Sequence, residues 1–290
     1  LLKLVVSILF TALTLPHAYA AVESPPQGFE IPRSTIHTLE SEALGRSYQV
    51  YVKTPRDYDA PANKDKIYPV IYLNDGPYTF QVASGATRVP MNWKRYEDAI
   101  LVGISWAVGE KPMASRTRDL TPSRWADWTA RTGHETGGAD DYLAFLDSQL
   151  MPFVEREYRI DQDRRTLAGH SFGGLFAAWV LFTNPELFKN YIISSPSLWF
   201  DRKMMFKVEE DYAAKHQSLK AVVYFGTGER EQSSRNDLTA DQIAFVDKLR
   251  SRNHQGLIIR DRILEDIDHT TAFPINFTRA FRWLFYKPEN

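Results

Sequence analysis

Cysteine is absent from all 290 residues, which excludes disulfides, thiol catalysis, cysteine-held zinc or iron-sulfur sites and lipid attachment through an N-terminal cysteine. An excess of charge of either sign is lacking as well. With 35 Lys plus Arg against 36 Asp plus Glu, the formal net charge is -1, so no nucleic-acid partner is expected. No hydrophobic run is long enough to span a bilayer. The longest candidate, within residues 4–15, falls short of the roughly 20 residues a spanning helix needs, and Pro16 and His17 interrupt it. Repeats, low-complexity blocks and Gly/Ser linkers are missing too, which leaves one domain as the simplest organisation.

That early run fits a leader instead. Lys3, the apolar stretch and Ala18-Tyr19-Ala20 as an A-x-A pattern before Ala21 predict a secretory signal peptide over residues 1–20. Export to the periplasm or the medium is then expected, with residues 21–290 as the folded domain. A composition that is 43% hydrophobic and 24% charged is that of an ordinary globular chain.

Short β-branched and aromatic runs alternate with longer helical patterns. Strands are expected over residues 48–53, 68–74, 100–106, 165–169, 191–195, 221–225 and 257–264, preceded by one near 35–39. Helices are expected over 140–158, 173–183, 240–250 and 272–286. In the first of these, Tyr142, Phe145, Leu146, Leu150, Phe153 and Val154 recur at three- and four-residue steps and form one apolar stripe. The alternation predicts an α/β fold with a mostly parallel sheet of about eight strands and helices on both faces. Ligands of such sheets bind beyond the carboxyl ends of the strands. Residues 107–140 read as one long irregular connection emerging at that edge.

The chemistry centres on Gly169-His170-Ser171-Phe172-Gly173, a G-x-S-x-G pentapeptide extended by Gly174. The pentapeptide alone is a weak signal. Its setting, a strand running in and a helix running out until Asn184-Pro185, is that of a nucleophile elbow. The competing possibility is a Gly-rich turn whose serine caps the helix.

A serine nucleophile needs a base, and the base needs a carboxylate that fixes its tautomer. His254 precedes the last strand and falls at the wrong end of the sheet, whereas His269 follows that strand, so topology selects His269. His170 is expected to be structural, since the elbow turns its side chain away from that of Ser171. The acid is expected after the strand 221–225, where a glycine followed three residues on by a carboxylate gives two registers: Gly226 selects Glu229 and Gly228 selects Glu231. Asp266 and Asp268 read as polar loop residues.

Donors to the developing oxyanion are also required. The backbone N–H of Phe172 supplies the first. The second should come from Asp75-Gly76-Pro77-Tyr78; Pro77 has no N–H, and of its neighbours Tyr78 is favoured over Gly76.

With these residues in place, nearly the whole chain after the leader resembles the branch of esterases in the α/β-hydrolases that includes enterochelin and bacillibactin esterases and is similar to formylglutathione hydrolases and mycolyltransferases. The resemblance is carried by Pro69-Val70-Ile71-Tyr72-Leu73-Asn74-Asp75-Gly76, Arg116-Thr117-Arg118-Asp119-Leu120-Thr121-Pro122, Gly169 to Gly174, and Ser194-Ser195-Pro196-Ser197-Leu198-Trp199. The Gly-x-x-Glu and Asp268-His269 pairs add to it. It implies carboxylic-ester hydrolysis by Ser171, His269 and Glu231 without a metal or organic cofactor, since the siderophore esterases carry a Gly-x-Arg-Glu sequence that matches Gly228-Glu229-Arg230-Glu231. The departure from the family pattern is Pro77.

Trp125, Trp128 and Trp199 are expected to flank the pocket as an aromatic wall, and Arg116 and Arg118 to meet anionic groups of a substrate such as a ferric catecholate. The plainer alternative has the tryptophans packing the long loop and the arginines pairing with Asp119 or other acids. Asp161-Gln162-Asp163 lacks the rest of a calcium loop and reads as a turn. A carbohydrate acetyl or feruloyl esterase, and an inactive hydrolase-like binding protein, are the competing functions.

Overall fold

The computed structural model describes residues 28–233 and 236–288; the expected leader lies outside them. Chain contacts separate Leu1–Glu30 from Ile31–Asn290. The described residues of the first unit, 28–30, carry no regular secondary structure, and the helices and strands among the described residues belong to the second.

The frame of that second unit is an eight-stranded sheet in the order β1-β2-β4-β3-β5-β6-β7-β8. The strands are β1 Ser34–Ser41, β2 Arg46–Lys53, β3 Tyr68–Leu73, β4 Ile100–Ala107, β5 Ile160–His170, β6 Asn190–Ser194, β7 Val222–Gly228 and β8 Ile258–Leu264. β2 pairs antiparallel with both β1 and β4, and every other pairing is parallel. The whole of β3 is buried. Because side chains alternate along a strand, Val70 and Tyr72 enter the core on one face of the sheet, and Ile71 and Leu73 the core on the other. The fold is thus an α/β-hydrolase sheet covered on both sides.

The helices α1 Gly76–Asn92 and α9 Ala272–Phe285 cover one face. The other carries α4 Ala139–Phe145, α5 Met151–Glu157, α6 Phe172–Thr183 and α8 Leu238–Ser251. α4 and α5 are joined by a π-helical turn, Leu146–Leu150, so the expected helix over 140–158 is continuous but locally widened. Pro152, which lacks an N–H and crowds the carbonyl four residues back, accounts for the widening. On α9, Phe273, Phe277, Phe281 and Phe285 recur every fourth residue, with neighbouring ring centroids 5.0–6.1 Å apart. This ladder fixes which face of α9 meets the sheet.

Several expectations are corrected. α1 was not expected, because its buried face is made largely of small and hydroxylated residues, Gly76, Thr79, Ala83, Ser84 and Thr87, which do not register as an apolar stripe. Two of the hydroxyls are satisfied locally: Thr79 donates to Asn74 O at 2.7 Å and Thr87 to Ala83 O at 2.8 Å. Residues 107–140 are not irregular but contain α2 Pro112–Asp119 and α3 Ala126–Thr132. α7 Phe200–Ala213 was hidden by its entry, where Asp201, Arg202 and Lys203 are left-handed, with φ of 42°, 57° and 64°. Asp161-Gln162-Asp163 is not a turn between elements; it belongs to β5, at an irregularity between the pairs Tyr68–Ile160 and Val70–Arg165. Among the described residues, no helix is long and apolar enough to cross a membrane.

Candidate active site

β5 ends at His170 and α6 begins at Phe172, so Ser171 is the corner between them. Its backbone is at φ 61° and ψ -116°, a region that costs on the order of 1–3 kcal/mol for a residue with a side chain. Glycine is required beside it: a Cβ on Gly169 would stand 2.1 Å from the Gly173 carbonyl oxygen. β6 holds the corner from the side, with Ser171 N–H donating to Ser194 O at 3.0 Å and Ser197 N–H to Ser171 O at 3.1 Å. Ser171 Oγ has Ser197 Oγ beside it at 3.4 Å, too long to tie the oxygen down.

The two glutamate registers separate cleanly. Glu231 is buried and stands 2.6 Å from His269 Nδ1 through Oε2. Its other oxygen, Oε1, accepts from Ser195 Oγ and from Gly228 N–H, both at 2.6 Å. Glu229 is exposed, and its Oε2 accepts the Asp266 N–H at 3.1 Å. A carboxylate held on both oxygens obliges Nδ1 of His269 to carry the proton and leaves Nε2 as the basic nitrogen. Asp268 turns back to accept from Thr270 and Thr271 N–H, and Asp266 pairs with Arg230 at 2.6 Å. His254 is buried in the connection before β8, at the end of the sheet away from Ser171.

His170 is closer to the chemistry than the sequence suggests. Its ring lies 4.5 Å from that of His269, and its Nδ1 is 3.1 Å from Ser194 Oγ. Ser194 Oγ in turn accepts from Asn276 Nδ2 at 2.9 Å. Burial, reinforced by the neighbouring His269, pulls the His170 pKa down to about 3, against the opposing pull of Asp75.

After β3 the chain turns through Asp75, which is left-handed at φ 57°, and enters α1. Gly76 is needed there because a Cβ would stand 2.8 Å from the Ile104 backbone. The Asp75 carboxylate receives Arg116 on both oxygens, at 2.9 and 3.0 Å, and Trp106 Nε1 at 2.8 Å. Burial alone would raise its pKa, but Arg116 and these hydrogen bonds hold it below the usual carboxylate range. The corner lies against α6, since a Cβ on Gly173 would be 3.2 Å from Asp75 Oδ2. Tyr78 does not fill its expected role: its N–H already donates to Asp75 O at 3.0 Å, closing the first turn of α1. Gly76 is the first residue of α1, so its N–H is one that the helix itself does not use.

Arg116 and Arg118 both pair with protein carboxylates, which is the plainer of the two alternatives the sequence offered for them. Besides its fork onto Asp75, Arg116 stacks 5.4 Å from the Phe172 ring centroid. Arg118 binds Asp119 at 2.9 Å and Glu110 at 2.6 Å, and Asp119 also takes Arg46 and Tyr48 OH, each at 2.9 Å. Trp125, Trp128 and Trp199 do gather beside the elbow. Trp128 lies 5.8 Å from Phe172 and 5.5 Å from Trp199, and Trp125 5.8 Å from Trp128. A cavity of about 700 Å³ opens next to them, lined by Trp125 and by Arg46, Arg118 and Arg124.

Sequence reasoning missed Ser195, Ser197 and the Asp75–Arg116 pair. The serine-rich turn Ser194-Ser195-Pro196-Ser197 follows the strand adjacent to the elbow, so topology carried a usable signal for the first two; a fork across 41 positions carried none.

The depressed pKa of His170 has a consequence for stability. An unfolded histidine titrates near 6.5, so from there down to about 3 the unfolded chain binds the proton and the folded chain does not, and stability falls on acidification. Denaturant titrations between about pH 7 and about pH 4 should therefore show a shallower loss for His170→Gln than for the unsubstituted chain; parallel losses would refute the assignment.

The family model described as Putative esterase matches residues 41–271. The ferri-bacillibactin esterase BesA of Bacillus subtilis is 28% identical over 270 residues, covering 89% of this chain and 91% of the relative. The siderophore triacetylfusarinine C esterase of Aspergillus fumigatus is 29% identical over 254 residues, covering 83% and 82%. Among solved structures, the BES protein from Bacillus cereus superposes with a TM-score of 0.79 at 27% identity, over 91% of this chain and all of that one. With an elbow, an α/β-hydrolase sheet and a family match across most of its length, the chain belongs to this esterase family and is a carboxylic ester hydrolase.

Proposed function

We propose that the chain is an exported serine esterase that cleaves siderophore esters of the catecholate trilactone type through Ser171, His269 and Glu231. The observation that carries the triad is the 2.6 Å approach of Glu231 to His269 Nδ1, with the second carboxylate oxygen tied by Ser195 and Gly228. Ser171 Oγ attacks the ester carbonyl as His269 Nε2 takes its proton. The tetrahedral oxyanion is met by the N–H groups of Phe172 and Gly76. Collapse expels the alcohol, protonated by His269, and leaves an acyl-serine that water hydrolyses with His269 again as base. The hydrogen bond between Ser171 and His269 forms with substrate bound, as such contacts commonly tighten in the complex.

The substrate class is supported by the siderophore-esterase activities for which the relatives are named and by the wall of Trp125, Trp128 and Trp199 next to Phe172. Aromatic faces stack on catechol rings and offer area without fixed charge.

Fluorophosphonate should label the chain at Ser171, and labelling should vanish in Ser171→Ala and in His269→Ala; labelling that persists in both would remove the triad. Glu231→Gln should lower kcat by about 10³- to 10⁴-fold, as loss of the orienting carboxylate does elsewhere, while Glu229→Gln stays close to the unsubstituted enzyme. The reverse order would overturn the register.

A tricatecholate trilactone should be hydrolysed with far higher kcat/KM than an aryl acetate, and Trp128→Ala should lower the former more than the latter. Equal, low efficiencies on both would sink the siderophore assignment.

Export rests on Lys3, the apolar run and the A-x-A pattern. Mass spectrometry of the secreted or periplasmic protein should find Ala21 as the first residue; a cytoplasmic chain that retains residues 1–20 would refute it.

A further inference from the structure

The outer face of α9 and the edge strand β8 form a second concave surface. A cleft of about 430 Å³ is lined by Arg260, Arg262, Arg279 and Arg282, with Tyr224, Trp283 and Tyr286. The arginines converge for geometric reasons. Arg260 and Arg262 are two apart on β8 and so share one face, while Arg279, Arg282, Trp283 and Tyr286 follow a three- and four-residue stripe on α9, opposite its phenylalanine ladder. All four guanidinium-bearing residues are exposed. Arg260 stacks on Trp283 at 4.7 Å.

What sets them apart is that four of them line one cleft without a counter-charge. Other arginines do take a carboxylate, as Arg156 with Glu157, Arg164 with Glu97 and Arg230 with Asp266. Among the described residues, none of the four in the cleft makes an ion pair, and the side-chain hydrogen bond that Arg262 donates goes to the Asp261 carbonyl. Asp261 alternates to the other face of β8, where its carboxylate pairs with Arg250 of α8. The chain as a whole is close to neutral, so the cluster is a local feature rather than a reflection of composition. Arg279 and Arg282 at a three-residue helical spacing repel each other, a repulsion that a bound anion would relieve.

We propose that this cleft is a binding site for a polyvalent phosphoryl anion, distinct from the ester-cleaving centre. Guanidinium forks match phosphoryl oxygens two at a time, and four of them on a concave wall engage at least two phosphoryl groups at once. The site is remote from the chemistry along α9, since Arg282 follows Ala272 by ten residues, about 15 Å at helical rise. The competing role for β8 arginines, protection of an edge strand from pairing with other chains, accounts for neither Arg279 nor Arg282, which are on a helix.

Calorimetric titration of the full chain with inorganic tripolyphosphate, at low ionic strength, tests the site. Saturable binding is expected, weakened roughly tenfold or more in R279Q/R282Q, with aryl acetate turnover unchanged in that variant as evidence that it is folded. A parallel arm uses phosphatidylcholine vesicles with and without phosphatidic acid. Binding of tripolyphosphate that the variant loses supports a soluble phosphoryl ligand. Binding only to vesicles containing phosphatidic acid, again lost in the variant, supports a lipid headgroup as its source. Failure to bind either probe, or binding that R279Q/R282Q leaves intact, would overturn the proposal whatever the outcome for the esterase reaction.

Discussion

A side chain at φ 61° and ψ -116° does not stay there unless its surroundings leave it no alternative. At Ser171 those surroundings are a parallel sheet and three glycines. The strand β6 pins the corner by accepting the Ser171 N–H at Ser194, and α6 pins it from the other side, with Leu175 N–H donating to Ser171 O at 2.9 Å. Gly169, Gly173 and Gly174 let these elements approach to distances at which a Cβ would crowd its neighbours. Once the corner is fixed, Phe172 must be the first residue of α6, its N–H without an intrahelical acceptor and its ring directed into the tryptophan cluster. The serine at the corner, the Phe172 N–H beside it and the packing of Phe172 on the tryptophans are thus consequences of one backbone constraint.

The second constraint is electrostatic. Asp75 and Arg116 form a buried pair, and burying two charges costs several kcal/mol per ion unless their remaining hydrogen-bonding capacity is met. Trp106 and the two-point fork meet it. The pair contributes position more than stability: it joins the corner after β3, which carries Gly76, to α2, and lays the guanidinium over Phe172. An arginine in this arrangement is unavailable to an anionic substrate, and Arg118, shared between Asp119 and Glu110, is equally occupied. Of the arginines that line the cavity beside the tryptophans, Arg124 stands outside these carboxylate pairs.

Where chain order and local chemistry decide a feature, it was legible in the sequence. The eight strands, the elbow and the selection of His269 over His254 derive from strand order and glycine spacing, whereas spacing left Glu229 and Glu231 open and only the family resemblance favoured Glu231. Features that depend on tertiary satisfaction were not legible. α1 buries threonines whose hydroxyls are satisfied by backbone carbonyls, so its amphipathic pattern is invisible to a count of apolar residues. Tyr78 was favoured as an oxyanion donor because Pro77 removes one N–H, yet entry into a helix also consumes the Tyr78 N–H, which no composition-based inference foresees. The partner of Arg116 was not legible, because Asp75 is 41 positions away, whereas the pairing of Arg118 with Asp119 was among the alternatives the sequence offered.

α9 ties the ester-cleaving centre to the arginine cleft while keeping them independent. Its start comes directly after the loop that carries His269, and Asn276, fully buried, donates to Ser194 Oγ and to Gly226 O at 2.9 Å each. Ser194 holds His170, and His170 flanks His269, so the inner face of α9 belongs to the framework of the active site. No Cβ fits at Gly226, where Asn276 Oδ1 would stand 1.8 Å away, which makes this contact intolerant of change. The phenylalanine ladder fixes the rest of that face against the sheet. The outer stripe is anchored more lightly, by Trp283 against the core and by Tyr286 on Tyr96, and carries the charge cluster away from the histidines.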